Sequence, residues 1–204
     1  MSHLNRHFLA DGQSYKRLAA AAVRYLEAFC PGTSRMIGPA SVEDLADWYL
    51  TQSTGYSLEV VDDELVPGDE EAYTDFATGS VVFRSSTWDE VVEGKVRARF
   101  TAAHEIGHVV VHRKQMEARA RELLEYTRAA RLRTVKIPRY SNPEWQANSF
   151  AGFLLVPPPA LSVFCSDPAN GTNRHELEEE MAHTFGISLE AAHWRMETYT
   201  RKAI

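Results

Sequence analysis

The sequence has little cysteine, no long apolar run and no excess of basic residues. Cys30 and Cys165 form no CxxC spacing, which argues against a disulfide framework and predicts two buried thiols in a cytoplasmic protein. No apolar run approaches the roughly 18 residues that a membrane span requires, and residues 1–6 lack the apolar core of a secretory signal. The net charge of −6 disfavours nucleic acid as the main partner. We therefore expect a cytoplasmic protein that contacts neither a membrane nor nucleic acid directly.

The apolar, capping and turn residues predict a mostly helical α+β chain with a small sheet. Helical spacing with capping residues and proline or glycine stops predicts helices over residues 14–29, 41–50, 97–112, 142–155 and 176–201, the last broken at 186–188. Short β-branched or apolar runs between turn residues predict strands over residues 57–61 and 80–83. A chain of 204 residues is long enough for one domain with an extension.

Residues 104–108 read His-Glu-Ile-Gly-His within a small and apolar context that predicts a buried helix. Residues four apart lie on one face of a helix, so His104 and His108 can bind the same ion. Zinc suits two neutral imidazoles plus a carboxylate and leaves a fourth position for water. Glu105 follows the first histidine but is rotated away from the ligand line, so it is placed to accept a proton from that water.

Two histidines do not hold a catalytic zinc ion, so a third protein ligand is required. The extended HExxHxxGxxH pattern is excluded, because Val111 stands in place of its glycine and Lys114 in place of its last histidine. His112 would lie about 12 Å along the helix from His104 at about 1.5 Å per residue, too far to share the ion. We therefore predict that His112 is a hydrogen-bonded core histidine or a wall of the cleft.

Glu144, on the next predicted helix, leaves two interpretations open. As a third ligand it would have Asn148 one turn later on the same face, where the amide can hydrogen-bond a metal ligand. As a first-turn carboxylate it would only interact favourably with the helix dipole. Spacing does not decide between them.

Three charged segments add weaker predictions. Residues 62–75 hold several acids and no basic residue, which favours a solvated loop or edge. Residues 113–139 hold nine Lys or Arg against three Glu, which predicts an amphipathic helix with a solvated basic face. Residues 182–195 have a spacing similar to a helix-turn-helix. However, residues 173–204 contain six Glu against four Arg or Lys, the wrong sign for contact with phosphates.

Three motifs follow one another along the chain. They are Arg-Phe-Thr-Ala-Ala-His-Glu-Ile-Gly-His at 99–108, Glu-Trp-Gln-Ala-Asn-Ser-Phe-Ala at 144–151 with Leu-Leu-Val-Pro at 154–157, and a closing segment at 181–196. In this order they resemble the ImmA/IrrE family of bacterial and phage metallopeptidases, over roughly residues 40–200. Gln146 stands where the family more commonly has a second glutamate, Val156 replaces a methionine, and the gap from His108 to Glu144 is long for the family.

The resemblance implies a zincin-like α+β domain, in which the motif helix packs against a second helix that carries the third ligand. By this resemblance His104, His108 and Glu144 are the zinc ligands and Glu105 is the general base, with Asn148 beside them. It implies a metallopeptidase domain over residues 40–204, including the C-terminal helices, that follows an N-terminal helical extension over residues 1–39.

The function implied by the resemblance is a zinc endopeptidase of narrow specificity that cleaves a helix-turn-helix transcriptional repressor and so releases a stress, phage or mobile-element regulon. The alternative is a non-proteolytic zinc-fold regulator, or a component of a toxin–antitoxin pair, that sequesters a repressor. Candidates to stabilise the oxyanion of the reaction are Tyr140, His112, His183 and His193. A strand such as residues 80–83 is expected to pair with an extended peptide substrate.

Overall fold

The computed structural model describes residues 10–66, 68–125, 138–171, 173–202 and 204. Its helices are α1 Tyr15–Phe29, α2 Val42–Asp44, α3 Leu50–Thr54, α4 Ser85–Val92, α5 Val96–Glu125, α6 Pro143–Leu155, α7 Pro158–Ser166, α8 Arg174–Phe185 and α9 Leu189–Lys202. A π-helical segment, Leu45–Tyr49, joins α2 to α3. The strands are β1 Ser57–Val61, β2 Ala72–Asp75 and β3 Ser80–Arg84. The predicted class, mostly helical α+β with a small sheet, is confirmed.

Most predicted helices are present, and α1 and α6 have side-chain caps at their predicted starts. Ser41, at the predicted start of the helix over residues 41–50, makes no capping hydrogen bond to the backbone. The Ser14 side chain accepts a hydrogen bond from the backbone N–H of Arg17 at the start of α1, and Asn142 caps α6 in the same way. The break predicted at residues 186–188 separates α8 from α9. The predicted basic helix over residues 113–139 coincides with the end of α5 as far as residue 125, and residues 126–137 lie outside the described part of the chain.

Two helices were not predicted. The three prolines at 157–159 suggested only a stop, but Pro158 and Pro159 occupy the first turn of α7. A helix leaves its first N–H groups without intrahelical partners, so proline costs little there. Helix α4 begins with Ser85, Ser86 and Thr87, which have weak helix propensity.

The sheet has the strand order β1-β3-β2. Strand β1 pairs in parallel with β3, and β2 pairs with it in antiparallel fashion. The two predicted strands are β1 and β3. Strand β2 lies in the acidic stretch predicted as a solvated loop or edge, and it occupies an edge of the sheet beside α5. Four residues flanked by acids are too few for an alternating pattern to be recognised.

The thiol prediction is wrong for Cys30, which is exposed at the end of α1, and Cys165 is only partly buried. Cys30 follows the last turn of α1, where the chain turns out through Pro31 and Gly32. No single helix among the described residues is long and apolar enough to cross a membrane. The consecutive helices α6 and α7, which are bent by 48° relative to each other, meet the criterion only as a pair and only by length and composition.

Helices α5 and α6 approach each other closely at Gly107. A β carbon on Gly107 would lie 3.1 Å from the backbone oxygen of Ala147 and 3.1 Å from Cδ1 of Phe150. Ala103 and Ile106 of α5 are buried in the same apolar cluster as Phe150. The absence of a side chain at Gly107 therefore lets the two helix backbones meet directly, next to His108 and three residues after His104.

Helix α1 and the segment before it pack against the same core. Leu18, Ala22 and Leu26 are buried in the cluster that includes the α5 and α6 side chains. Before α1, the backbone N–H of Ala10 donates to the carbonyl of Ser141, and other backbone bonds follow in the same segment. The predicted boundary between an extension and a metallopeptidase domain at residues 39 and 40 stays a prediction.

Buried Arg99 joins three parts of the chain. Its guanidinium donates hydrogen bonds to the carbonyls of Phe185, Gly186 and Ala40 at 3.2, 2.8 and 3.1 Å. Gly186 adopts a left-handed conformation, with φ of 60°, at the C-terminal end of α8. A helix end exposes carbonyls without intrahelical partners, so a cation beside them is favourable. Arg99 thus fixes α5 against the α8–α9 turn.

Gly186→Ala is expected to destabilise the protein, because a β carbon there would overlap Nη1 of Arg99 and strain the positive φ. Gly94→Ala is the matched control: its φ is 75° but nothing lies within 4 Å of the added carbon. The control therefore carries only a backbone strain of about 1–2 kcal/mol. We expect Gly186→Ala to lower the free energy of unfolding in urea by about 1–3 kcal/mol more than the control. Equal losses would mean that the Arg99 contacts contribute little.

Candidate metal centre

The side chains of two histidines on α5 lie close together, with their Nε2 atoms facing each other. The imidazole centroids of His104 and His108 lie 4.6 Å apart, and their Nε2 atoms are separated by 2.9 Å. His108 is buried and His104 is partly buried. Two unprotonated ring nitrogens so close would repel each other, because both present lone pairs. The pair is therefore stable only with a proton or a cation nearby.

Helix α6 brings a carboxylate to this pair. Asn142 accepts hydrogen bonds from the backbone N–H groups of Glu144 and Trp145, which fixes the first turn of the helix. The oxygens of Glu144 lie 3.4 Å from His104 Nε2 and 3.5 Å from His108 Nε2. The carboxylate is thus directed at the two imidazoles, besides lying in the first turn of α6.

The pKa values of His104 and Glu144 are both shifted by their surroundings. Burial lowers the pKa of His104, but the hydrogen bond to Glu144 and the charges of Glu105 and Glu144 outweigh it, so that the net shift is upward. Burial raises the pKa of Glu144, but its contacts with His104 and His108 reverse this and hold it well below its usual range. The arrangement therefore favours a negative carboxylate with positive charge between it and the imidazoles.

This donor set fits a metal ion. The ligand atoms of His104, His108 and Glu144 all lie within 4.8 Å of one another. Among the residues that the structure describes, this is the one group of three or more His, Cys, Asp or Glu side chains with ligand atoms that close together. Two imidazoles and one carboxylate are a ligand set of catalytic zinc, which binds at about 2.0–2.2 Å and keeps one position open. A shared cation would replace the repulsion between the Nε2 atoms with attraction.

Asn148 lies next to the first histidine, one turn after Glu144. Its Oδ1 atom is 2.9 Å from His104 Nδ1. An amide oxygen only accepts hydrogen bonds, so Nδ1 of His104 donates and Nε2 keeps its lone pair for a metal ion. The amide is placed as the spacing predicted.

His112 and Gln146 lie beside the second histidine. His112 Nδ1 is 3.2 Å from His108 Nδ1, and its Nε2 is 2.9 Å from Oε1 of Gln146. Burial, together with the nearby charge of His108, lowers the pKa of His112 to about 3. His112 is thus a hydrogen-bonded core histidine, the first of the two roles predicted for it. The contact with Gln146 was not predicted, because it depends on how α6 is rotated relative to α5, which local patterns do not reveal.

Glu105 is buried and points away from the ligand line towards the sheet. Its Oε2 atom accepts a hydrogen bond of 2.6 Å from the Thr74 hydroxyl on β2, and the side chain is 6 % exposed. Its negative charge contributes to the upward shift of the His104 pKa. Thr74 was not predicted, because it lies in the acidic stretch, 31 residues from its partner.

A family model described as Peptidase_M78, IrrE N-terminal-like domain, matches residues 94–197, which is half of the chain and includes these side chains apart from Thr74. The chain belongs to the Peptidase_M78 family. The resemblance found in the motifs is confirmed, and the family indicates an enzyme of the metallopeptidase type. No curated protein matches the chain.

A solved structure described as a Mycobacterium tuberculosis transcriptional regulator has a similar fold, with a TM-score of 0.53 and 15% sequence identity. The match covers 87% of this chain and 54% of that one, so the chain spans about half the length of the regulator. At this identity the similarity extends to the fold alone.

A cleft of about 740 Å³ adjoins the metal centre of this Peptidase_M78 chain. Asn148 belongs both to the cleft wall and to the centre. The apolar side chains of its wall include Phe100 of α5, Trp145 and Leu155 of α6, and Trp194 of α9. Arg97 and Glu71 contribute polar side chains to the cleft wall, and they form an ion pair in which Nε of Arg97 lies 2.7 Å from Oε1 of Glu71. The cleft is large enough for several side chains of an extended peptide.

Two expectations about the reaction are corrected by this geometry. Strand β3, which contains residues 80–83, cannot add a peptide strand, because β1 and β2 already pair with its two edges. His112 cannot stabilise an oxyanion, because it is buried and its two ring nitrogens face His108 and Gln146. Another candidate for the oxyanion, His193, has its Nδ1 atom 3.1 Å from both carboxylate oxygens of Glu178.

Thr74→Val is expected to lower the free energy of unfolding by about 1–3 kcal/mol, because it leaves a buried carboxylate oxygen of Glu105 without this donor. Thr101→Val is the matched control. Thr101 also donates to a carboxylate, at 2.8 Å from Glu71, but the side chain of Glu71 is 31% exposed and also binds Arg97. Urea denaturation of the metal-free wild type and of the two variants measures both losses of free energy of unfolding. A loss for Thr74→Val no larger than for the control would contradict the importance of the Thr74 contact.

Proposed function

We propose that the chain is a zinc endopeptidase of narrow specificity. The observation that carries the proposal is the convergence of His104 and His108 from α5 with Glu144 from α6, beside the buried carboxylate of Glu105. The family supports the reaction class, and the donor set supports zinc over metals that prefer oxygen ligands alone.

In the proposed site, Nε2 of His104, Nε2 of His108 and a carboxylate oxygen of Glu144 hold the ion. Bound zinc would supply Lewis acidity, which acidifies water and polarises the scissile carbonyl. Asn148 holds the His104 ring in the orientation that binding requires, because it accepts the Nδ1 proton.

Glu105 is proposed to act as the general base. A carboxylate next to a ligand histidine, but outside the ligand set, can accept a proton from water and then deliver it to the leaving amine. Thr74 binds one carboxylate oxygen and thereby fixes the rotation of the side chain. The other oxygen is left to exchange the proton with the reactants.

The proposed substrate is a protein with an extended segment rich in apolar side chains. The aromatic walls of the cleft favour such side chains, and the cleft opens beside Asn148 at the metal centre. The resemblance to ImmA/IrrE proteins makes a helix-turn-helix repressor the leading target, cleaved to release a stress, phage or mobile-element regulon. Strand β2, at the edge of the sheet next to α5, replaces β3 as the element expected to lie alongside the peptide.

Glu144→Ala is expected to lose tightly bound zinc, since two histidines alone do not complete a catalytic site. Metal analysis after dialysis should give about one zinc per chain for the wild type and well below that for the variant. Glu190→Ala, which removes an exposed carboxylate from the cleft wall, should retain the metal. Full zinc content in Glu144→Ala would rule out Glu144 as the third ligand.

Glu105→Gln is expected to keep stoichiometric zinc and lose cleavage, because the amide cannot accept the proton. The rate of cleavage of a co-purified or genetically adjacent helix-turn-helix repressor should fall by about 10²–10⁴-fold. Electrophoresis of the repressor after incubation, with zinc content measured on the same sample, tests both parts. A variant that still cleaves at the wild-type rate would overturn the assignment of the base.

The second candidate is a non-proteolytic regulator that sequesters a repressor. The solved structure of similar fold is described as a transcriptional regulator, which is consistent with either role. Incubation with the repressor in the presence and absence of a chelator separates the two. Chelator-sensitive fragments support the peptidase, whereas a stable complex without fragments supports the sequestering protein.

A further inference from the structure

We infer that His112 and Gln146 form a buried hydrogen-bond relay that fixes His108 in the tautomer able to bind metal through Nε2. The inference deepens the proposed function, since it rests on His108 being a metal ligand. It assigns positioning roles to two residues, one on each helix of the site. The relay runs from two backbone carbonyls through Gln146 and His112 to His108.

The orientation of the Gln146 amide is set at the far end of the relay. Its Nε2 atom lies 2.9 Å from the backbone oxygen of Asp11 and 2.7 Å from that of Tyr140. Both oxygens only accept hydrogen bonds, so the NH₂ group must face them. The reverse orientation would place the amide oxygen against two carbonyls in a fully buried position. Oε1 of Gln146 therefore points at His112.

The proton positions on His112 follow from that orientation. Oε1 of Gln146 can only accept, so His112 Nε2, at 2.9 Å, carries the proton of this bond. The ring is 1% exposed, and a neutral imidazole carries one N–H only. Nδ1 of His112 is then an acceptor. Its neighbour at 3.2 Å, Nδ1 of His108, must be the donor.

His108 consequently carries its proton on Nδ1 and presents the lone pair of Nε2 to Glu144 and His104. The same tautomer of His104 is fixed in a single step, by Oδ1 of the exposed Asn148. The two histidines thus reach equivalent states by different means. The tautomer of His104 is set by the exposed amide of Asn148. The tautomer of His108 is set from the core, by the imidazole of His112 and the amide of Gln146. Partners of this kind raise the basicity and fix the ring of a metal-binding histidine.

Two substitutions of Gln146 separate the relay from simple anchoring. Gln146→Met and Gln146→Glu both remove the NH₂ group that binds the Asp11 and Tyr140 carbonyls. Only the glutamate keeps an acceptor for His112 Nε2. We expect Gln146→Met to weaken zinc binding about 10–100-fold, and Gln146→Glu to stay within a few-fold of the wild type. Anchoring alone predicts that the glutamate is at least as damaging, because it sets a charge against two carbonyls.

Gln115→Met is the matched control for the N-terminal contact. Gln115 Nε2 donates to Oδ1 of Asp11, and Gln115 Oε1 accepts from the Asp11 backbone N–H, both at 3.1 Å. The substitution removes these two contacts of Asp11 with Gln115 but leaves the Asp11 and Tyr140 carbonyls that orient Gln146, so zinc affinity should be unchanged. Competition with a chromophoric chelator at pH 8 measures the affinity of all four full-length proteins, and circular dichroism confirms that each is folded.

Nitrogen-15 NMR of the zinc-loaded imidazoles supplies a second measurement. In the wild type and in Gln146→Glu, we expect Nδ1 of His108 to carry a proton that exchanges slowly with solvent. In Gln146→Met, we expect this His108 proton to be lost or to exchange rapidly. The Nδ1 proton of His104 should persist in all of the proteins. Equal affinities of the methionine and glutamate variants, or an Nε2 proton on His108 in the wild type, would overturn the relay.

Failure of the relay is distinguishable from failure of the proposed function. A wild type that binds zinc but cleaves no repressor contradicts the peptidase and leaves the affinity comparison intact. A wild type that cleaves, alongside a Gln146→Met variant that binds zinc as tightly, contradicts the relay alone.

Discussion

The structure depends on the direct contact between α5 and α6 at Gly107. The donor atoms of the metal centre come from both helices, and side chains of ordinary length bring them together only if the backbones nearly touch. Gly107 provides that contact against Ala147 and Phe150. A β carbon at this position has to displace either a helix backbone or a core phenylalanine. The glycine in the middle of the motif is therefore as necessary to the geometry as the histidines on either side.

Around this contact, polar side chains in the interior bind one another, and few of those in the described ranges are left without a partner. Glu105 is held by Thr74, His108 by His112, and His112 by Gln146. Arg99, which precedes the motif on α5, likewise satisfies buried polar groups by donating to the carbonyls of the α8–α9 turn. Buried polar groups are costly without partners, so a satisfied network specifies one relative position of the packed elements. The sheet and the C-terminal helices thereby orient the helix that carries the motif.

Local patterns predicted much of this architecture. Capping residues such as Ser14 and Asn142 marked helix starts, residues 186–188 marked a break, and the spacing of His104 and His108 indicated one face of a helix. Contacts between distant segments escaped prediction, because periodicity carries no information about which turn of one helix faces another. Gln146 is 34 residues from His112 and Thr74 is 31 from Glu105. Glu144 could be proposed from spacing but needed the resemblance to be preferred over a helix-dipole role.

The short segment before α1 has a significance that its position does not suggest. The backbone oxygen of Asp11 accepts from Gln146, and the Asp11 side chain binds Gln115 on α5. Only Gln146 and His112 lie between that oxygen and a histidine of the metal centre. For anyone preparing the protein, trimming the chain or attaching an affinity tag near residue 10 would therefore disturb one of the two carbonyls that orient Gln146 at the far end of the proposed relay.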